Sequence, residues 1–317
     1  MTLEIQKVAV IGAGTMGHAL ALVHGLGGCD TTLYDRDPVV LANAVDLIAA
    51  ACKTLVEAGT ITDDEAIDAQ DHIVIVESLQ YAVEDGELVV EAVVEKPDIK
   101  RAVFEEIDRY APAQTIIASN TSYLDIFPLV PDARQSTAAV AHWYTPPYII
   151  DLVDLSPGPQ TRPEIIPGLK SLYERFGKAP LVFDRLVPGY VANRLQAALN
   201  LECLRMIDEG WVKAEDIDYS IRYGLVERLA VLGHMRKMDY TGLAMVRNGI
   251  AGQTYQPPEN TGATPALDRL IEAGRSGVNS GSGFYDYGDT PAETLFQNRD
   301  LRLLQFKAFL NSFEGDE

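Results

Sequence analysis

The stretch that most limits what this chain can fold into is Lys7–Asp37, KVAVIGAGTMGHALALVHGLGGCDTTLYDRD. Val8-Ala9-Val10-Ile11 is an apolar run without alternation, the pattern of a parallel strand buried on both faces. Gly12 must then turn the chain. Gly14 has no Cβ, so a pyrophosphate can approach the backbone, and Gly17 lets the helix opened by Thr15-Met16 pack closely on the strand. The free N–H groups at the start of that helix favour an anion. Gly27-Gly28 stop the helix, Thr31–Tyr34 make the next strand, and Asp35 follows 23 residues after Gly12. A carboxylate there suits a ribose 2′-hydroxyl and repels a 2′-phosphate, so the cofactor reads as NAD; Arg36 beside it is the residue that would favour NADP. A bare GxGxxG is a weak signal, but here strand, helix and acid all agree.

At 317 residues with 47% hydrophobic content the chain has material for two cores. A formal net charge of −20 argues against nucleic acid and anionic membrane as partners, because both would be repelled. No run of about 18 apolar residues stands out as a bilayer span, and the N-terminus enters strand 1 without a basic, apolar signal pattern. The expected compartment is the cytoplasm. Cys29, Cys52 and Cys203 form no CxxC pair and read as core thiols, and the five histidines lack metal-ligand spacing, so no metal is expected.

Helical spacing from Val39 to about Val56 and a capping box at Thr62-x-x-Glu65 predict a helical hairpin over 39–71, inserted after strand 2 near the cofactor cleft. Strands are expected at 72–76, 88–94, 115–118, 137–141, 149–155 and 180–183. A helix over Lys96–Tyr110 continues the β-α-β repetition, and Thr161-x-x-Glu164 reads as a second capping box. Beyond Val187-Pro188-Gly189 long helical patterns take over, at Tyr190–Glu209, Ala214–Tyr223, Leu229–Arg247 and Pro291–Phe313, while Ser276–Gly283 is too glycine-rich for a regular element. The expected architecture is an α/β Rossmann-type, doubly wound, mainly parallel sheet with a helical-hairpin insertion over 1–186, then an all-α domain over 187–317.

Oxidising a hydroxyl requires a base beside it, and histidine titrates nearest neutral pH. His142 follows an apolar strand and precedes Trp143-Tyr144-Thr145-Pro146-Pro147, at a sheet edge of the kind where open α/β folds bind ligands. Alternation in Ile150–Asp154 puts Asp154 on the face of Ile150 and Leu152, where a carboxylate needs a partner; an imidazole N–H would serve. Asp151 is the alternative partner. His18 and His24 on the first helix read as helix-surface residues.

Ala118-Ser119-Asn120-Thr121-Ser122, His142 with Pro146, Val187–Leu195 (VPGYVANRL) and Ser280–Tyr285 (SGSGFY) occur in the order and spacing of the 3-hydroxyacyl-CoA dehydrogenase family, which the chain resembles along nearly its whole length. The resemblance implies that His142 is the general base and that Asp154, where the family has glutamate, is its partner. It implies that Ser122 and Asn193 hold the substrate oxygen, that Glu95 and Lys100 approach the cofactor ribose and cleft, and that Asn120 lies near the nicotinamide ribose. Ser282 stands where the family usually has lysine, and His234 where it often has proline. A homodimer formed through the helical domain is also implied, in keeping with apolar helices such as Tyr190–Met206.

Coenzyme A binders usually offer lysine or arginine to the phosphates. Between Val39 and Val90 the only basic residue is Lys53, against eleven acids. The HW-x-x-PPY and NRLQAAL phrasing resembles the branch acting on free hydroxy acids, of the L-gulonate 3-dehydrogenase (lambda-crystallin) and L-carnitine dehydrogenase types. The expected substrate is a small 3-hydroxy acid; a quaternary ammonium could rest on Trp143, Tyr144 or Tyr148. Two alternatives stay open, a CoA-thioester dehydrogenase and an NAD-binding structural protein of the crystallin kind.

Overall fold

The computed structural model describes residues 4–312; Phe313, at the end of the expected last helix, lies outside them. The chain divides into two compact units, Met1–Tyr190 and Val191–Glu317. Tyr190 belongs to the first because its ring is wholly buried there.

The first unit is built on one eight-stranded sheet: β1 Lys7–Ile11, β2 Asp30–Tyr34, β3 Ile73–Val76, β4 Leu88–Glu91, β5 Ile116–Ser119, β6 Ala138–Trp143, β7 Leu152–Pro157 and β8 Ala179–Val182. Their spatial order is β3-β2-β1-β4-β5-β6-β7-β8. Every neighbouring pair is parallel except β6 and β7, which are antiparallel. The short link between them is the reason, since a parallel return needs a crossover of a dozen residues or more. The four central strands are apolar except at or near their ends, where Lys7, Glu91, Ser119 and His142 stand, and β4, β5 and β6 are buried at every position.

Helices α1 Gly17–Leu26, α2 Pro38–Glu57, α3 Asp63–Asp71, α4 Leu79–Val83, α5 Pro97–Tyr110 and α6 Ile165–Arg175 cover the sheet. The hairpin α2–α3 packs on α1. Asp37 caps α2 by accepting the Val39 N–H, and the Thr62–Glu65 box caps α3 in both directions. The second expected box does not form. The Thr161 hydroxyl donates to the Ala138 carbonyl (2.5 Å) and accepts the Gly158 N–H (2.7 Å), so it ties a turn to β6, and α6 starts at Ile165 without a side-chain cap. By length and composition α2 is apolar enough to cross a membrane, contrary to the expectation of no such run. One side of it, including Leu41, Ala44, Ile48 and Leu55, is buried within the unit, while Asn43, Asp46 and Lys53 are exposed.

His24 also departs from expectation. Helix α1 is buried along nearly its whole length, and the His24 ring is fully enclosed, edge-on to Trp143, Tyr173 and Phe176. Desolvation pushes its pKa down to about 4, against a smaller upward pull from the Leu20 carbonyl it bonds. Cys29 and Cys52 are buried free thiols and Cys203 is half-buried.

The second unit contains α7 Ala192–Asp208, α8 Ala214–Ser220, a π-helical turn Ile221–Val226, α9 Glu227–Leu232, α10 His234–Thr241, α11 Leu243–Ala251, α12 Pro265–Glu272 and α13 Ala292–Asn311. The helix expected over Leu229–Arg247 is in three pieces, because Gly233 (φ 67°) and Gly242 (φ 94°) take left-handed conformations that end one helix and start the next. Ser276–Gly283 forms a tight looped turn closed by the Gly277 N–H to Ser282 carbonyl bond.

Candidate active site

The glycine turn between β1 and α1 has the shape a dinucleotide requires. A Cβ on Gly12 (φ 100°) would lie 2.7 Å from the Ala92 carbonyl oxygen, and one on Gly17 would lie 1.6 Å from that of Gly12. Both glycines are therefore imposed by the packing of the protein itself. Gly14 is different: a Cβ there would meet nothing within 4 Å. Open space above a glycine at this turn is where a pyrophosphate approaches, so the residues present fit NAD. Asp35 Oδ2 accepts the Ala13 N–H (2.8 Å) and Oδ1 accepts the Asp37 N–H (2.9 Å), which fixes the carboxylate at the end of β2. Thr15 and Arg36 are exposed, and Met16 takes a hydrogen bond on Sδ from the Thr145 hydroxyl (2.9 Å). His18, expected on the helix surface, belongs here: its Nδ1 lies 2.7 Å from the Gly14 carbonyl and fastens the turn.

His142 lies inside β6 rather than after it. The antiparallel register sets it directly opposite Asp154 on β7, and opposed residues share a face. His142 Nδ1 is 3.4 Å from Asp154 Oδ2, while Nε2 is 3.2 Å from the Ser122 hydroxyl. Both members of the pair are buried, Asp154 completely. A carboxylate at Nδ1 holds the proton on that nitrogen and leaves the Nε2 lone pair directed towards Ser122. Asp151 is turned to another task, pairing with Lys178 (3.2 Å).

Two aromatic rings fix the imidazole: Tyr144, expected only as a platform for a substrate cation, and Tyr190, which the sequence did not point to. Tyr190 stacks on its face (centroids 4.7 Å, planes 20° apart), and Tyr144 meets it edge-on (4.7 Å, 80°). The Tyr144 hydroxyl donates to Asp154 Oδ2 at 2.5 Å, and the Tyr190 hydroxyl donates to the Thr121 carbonyl at 3.0 Å. Tyr190 sits at φ 46°, a strained conformation for a side chain of this size. Tyr144 lies two residues from His142 in sequence, whereas nothing local points to Tyr190.

Lys100, expected near the cofactor ribose, is 1% exposed. Its ammonium is engaged by both Glu91 oxygens (2.7 and 2.8 Å) and by Glu95 (3.3 Å), because a cation so deeply buried is retained only with carboxylates around it. Glu91, the missed partner, also accepts the Ser119 hydroxyl (2.5 Å). Glu95 Oε1 accepts from the Thr121 hydroxyl (2.7 Å) and from the N–H groups of Ser122 (2.8 Å) and Tyr123 (3.0 Å). Burial pushes the Glu95 carboxyl up, yet these donors and Lys100 outweigh it and hold the group below the usual range. The network clamps the turn that carries Ser122. Asn120 Oδ1 accepts the Trp143 N–H (2.8 Å) and ties the end of β5 to β6. Trp143, proposed as a ligand platform, is only 2% exposed and packs inward on Tyr173. Asn193 is the second residue of α7 and belongs to the second unit.

Among the described residues no group of three or more His, Cys, Asp or Glu is placed to hold a metal. Comparison with known proteins places this geometry in context. The chain is 27% identical to 5-formyl-3-hydroxy-2-methylpyridine 4-carboxylate 5-dehydrogenase of Mesorhizobium japonicum over 98% of its length and 100% of that protein. It is 33% identical to an L-carnitine dehydrogenase of Streptomyces griseus over 84% of its length and 80% of that protein. A crystal structure of a 5-formyl-3-hydroxy-2-methylpyridine 4-carboxylic acid 5-dehydrogenase, described as an NAD+ dependent dismutase, superposes with a TM-score of 0.87 at 27% identity, covering 97% of this chain and 99% of that one. The model of the 3-hydroxyacyl-CoA dehydrogenase NAD binding domain matches residues 7–186, and that of the family's C-terminal domain matches 189–287. With an NAD cradle of the right shape and both family domains present in order, the chain belongs to the 3-hydroxyacyl-CoA dehydrogenase family and is an NAD-dependent dehydrogenase acting on CH–OH.

Proposed function

We propose that this dehydrogenase oxidises the hydroxyl of a small free hydroxy acid, or reduces the corresponding keto acid, with His142 as the group that takes and returns the proton. The observation that carries the reading is the commitment of the two ring nitrogens: Nδ1 towards the buried Asp154 and Nε2 towards Ser122. NAD, when bound, supplies the hydride acceptor. His142 Nε2 accepts the hydroxyl proton, and the Asp154 carboxylate offsets the charge the ring acquires. The Ser122 hydroxyl, held by the Glu95 clamp, donates to the substrate oxygen as its charge changes. The face of Tyr190 on the ring favours the imidazolium further.

The acidic hairpin supports a free acid over a CoA thioester, since α2 and α3 carry one lysine and no arginine to meet the CoA phosphates. L-Carnitine dehydrogenase, among the relatives, is named for a substrate without CoA. Screening free hydroxy acids against matched CoA thioesters by nicotinamide absorbance tests the reading. Turnover confined to free acids is the expected result, and turnover confined to thioesters would overturn it.

The proposal extends to a homodimer formed by the second unit. Helices α7, α9, α10 and α11 bury no residue, and Tyr240, Ile250, Met235 and Val231 are all about 70% exposed or more. A second copy would cover such apolar faces.

A further inference from the structure

Asp154 is a wholly buried carboxylate that makes no ion pair with lysine or arginine among the described residues. Its Oδ1 has no hydrogen-bond partner among the described residues. The charge therefore rests on what Oδ2 receives, and Oδ2 receives two donors of unequal strength: the Tyr144 phenol at 2.5 Å and His142 Nδ1 at 3.4 Å. Short charge-assisted O–H···O contacts of this kind are the strong ones, whereas an N···O separation of 3.4 Å lies beyond the usual range. Asp154 is thus held more tightly by the phenol than by the histidine it is supposed to serve.

We propose that Tyr144 is a positioning residue that sets the basicity of the His142–Asp154 pair, by competing with the imidazole for Asp154 Oδ2. The inference rests on the reading of His142 as the proton acceptor. Among the described residues four groups are placed against the imidazole. Ser122 on the β5 turn meets Nε2, Asp154 on β7 meets Nδ1, Tyr144 just past the end of β6 meets the ring edge-on, and Tyr190 at the end of the first unit covers its face. The hydroxyl of Tyr190 is used by the Thr121 carbonyl, the Glu95 carboxylate is turned to the 121–124 backbone, and Lys178 is paired with Asp151. Of the two phenols against the ring, Tyr144 is the one that reaches the carboxylate.

The direction of the effect follows from the charge. A phenol donating to Oδ2 stabilises the carboxylate without protonating it and takes up part of the charge that would otherwise favour the imidazolium. Without it, the carboxylate depends on the imidazole alone, so the ring gains a proton at higher pH. If the proton enters Asp154 instead, that too occurs at higher pH, because the buried anion has lost its best donor. Both routes raise the apparent pKa of the coupled pair. With Tyr144 in place the carboxylate's charge is shared between the phenol and the imidazole.

Tyr144→Phe keeps the ring and removes only the hydroxyl. The titration of the His142 ring is read by NMR in ligand-free protein labelled with 15N-histidine, its signals identified by their loss in His142→Gln. The pH profile of kcat/KM is recorded on the same variants. The expected result is an upward move of about one pH unit, both in the ring titration and in the acid limb of the profile. An unmoved or downward-moved midpoint, with turnover merely reduced, would reduce Tyr144 to packing and overturn the proposal. Full turnover in His142→Gln would instead remove His142 as the base, and the ring titration would still decide whether Tyr144 controls the pair.

Discussion

His142 and Asp154 were legible in the sequence as separate candidates, an imidazole at a strand end and an acid on an apolar face. Their pairing was expected from the acid's need of a donor and from the resemblance, with Asp151 left as the alternative; the choice between the two acids depends on the antiparallel register of β6 and β7, in which 142 falls opposite 154. Asp151, the fallback partner, is held by Lys178 instead. His24 was misjudged although its neighbours carried the signal: ALALVHGL is apolar all round, and a helix of that kind is enclosed on every side. Its burial leads to a prediction about pH. With a folded pKa of about 4 against 6.5, the unfolded chain binds more protons between those values, so the stability conferred by neutral His24 is complete above about pH 6.5 and is lost as pH falls towards 4. The loss amounts to roughly 3 kcal/mol. Thermal unfolding from pH 7 to 4 should fall more steeply for the native protein than for His24→Gln; parallel curves would contradict the assignment. Glycines can be separated in the same way. Gly14→Ala should leave the melting temperature unchanged or slightly raised, within about 1 kcal/mol, while weakening NAD affinity at least tenfold by calorimetry, since the added methyl occupies only the open space. Gly17→Ala should cost stability, about 1–3 kcal/mol, because its methyl collides with the Gly12 carbonyl.

Elements with a local cause were readable and those with a distant one were not. The Thr62–Glu65 box and the Thr161–Glu164 pattern look alike in sequence, yet only the first caps a helix. The second threonine is diverted by the Ala138 carbonyl on β6, a long-range competitor that no local pattern reveals. Thr62→Ala should therefore destabilise the first unit by about 1 kcal/mol in a denaturant melt. Helices α9, α10 and α11 were read as one because their apolar spacing is nearly continuous. The breaks lie at Gly233 and Gly242, and an isolated glycine in a helical pattern is often tolerated. At the site, the β5 turn owes its shape to the Glu91–Lys100–Glu95 network. Glu91 reads as strand interior and Lys100 as helix surface, so the burial of their ion pair becomes visible only when β4, α5 and β5 are assembled. Glu95→Gln should loosen Ser122 and lower kcat/KM about tenfold with little change in NAD affinity; equal losses in both would point to a collapsed cradle instead.

At the scale of the whole molecule, the chain combines an NAD cradle whose glycines are each explained by a contact or by an open space with a helical unit that leaves its apolar faces uncovered. The second property is tested by sedimentation: a species of twice the monomer mass is expected, and a monomer at micromolar concentration would contradict the proposed dimer. The first property makes cofactor binding and proton transfer separable, since the glycine turn and the imidazole are held by different elements. The most direct measurement is therefore the turnover of His142→Ala beside its NAD affinity, measured on the same preparation. Turnover should fall by about 10²–10⁴-fold while NAD binding stays within about twofold of the native protein; undiminished turnover would contradict the account.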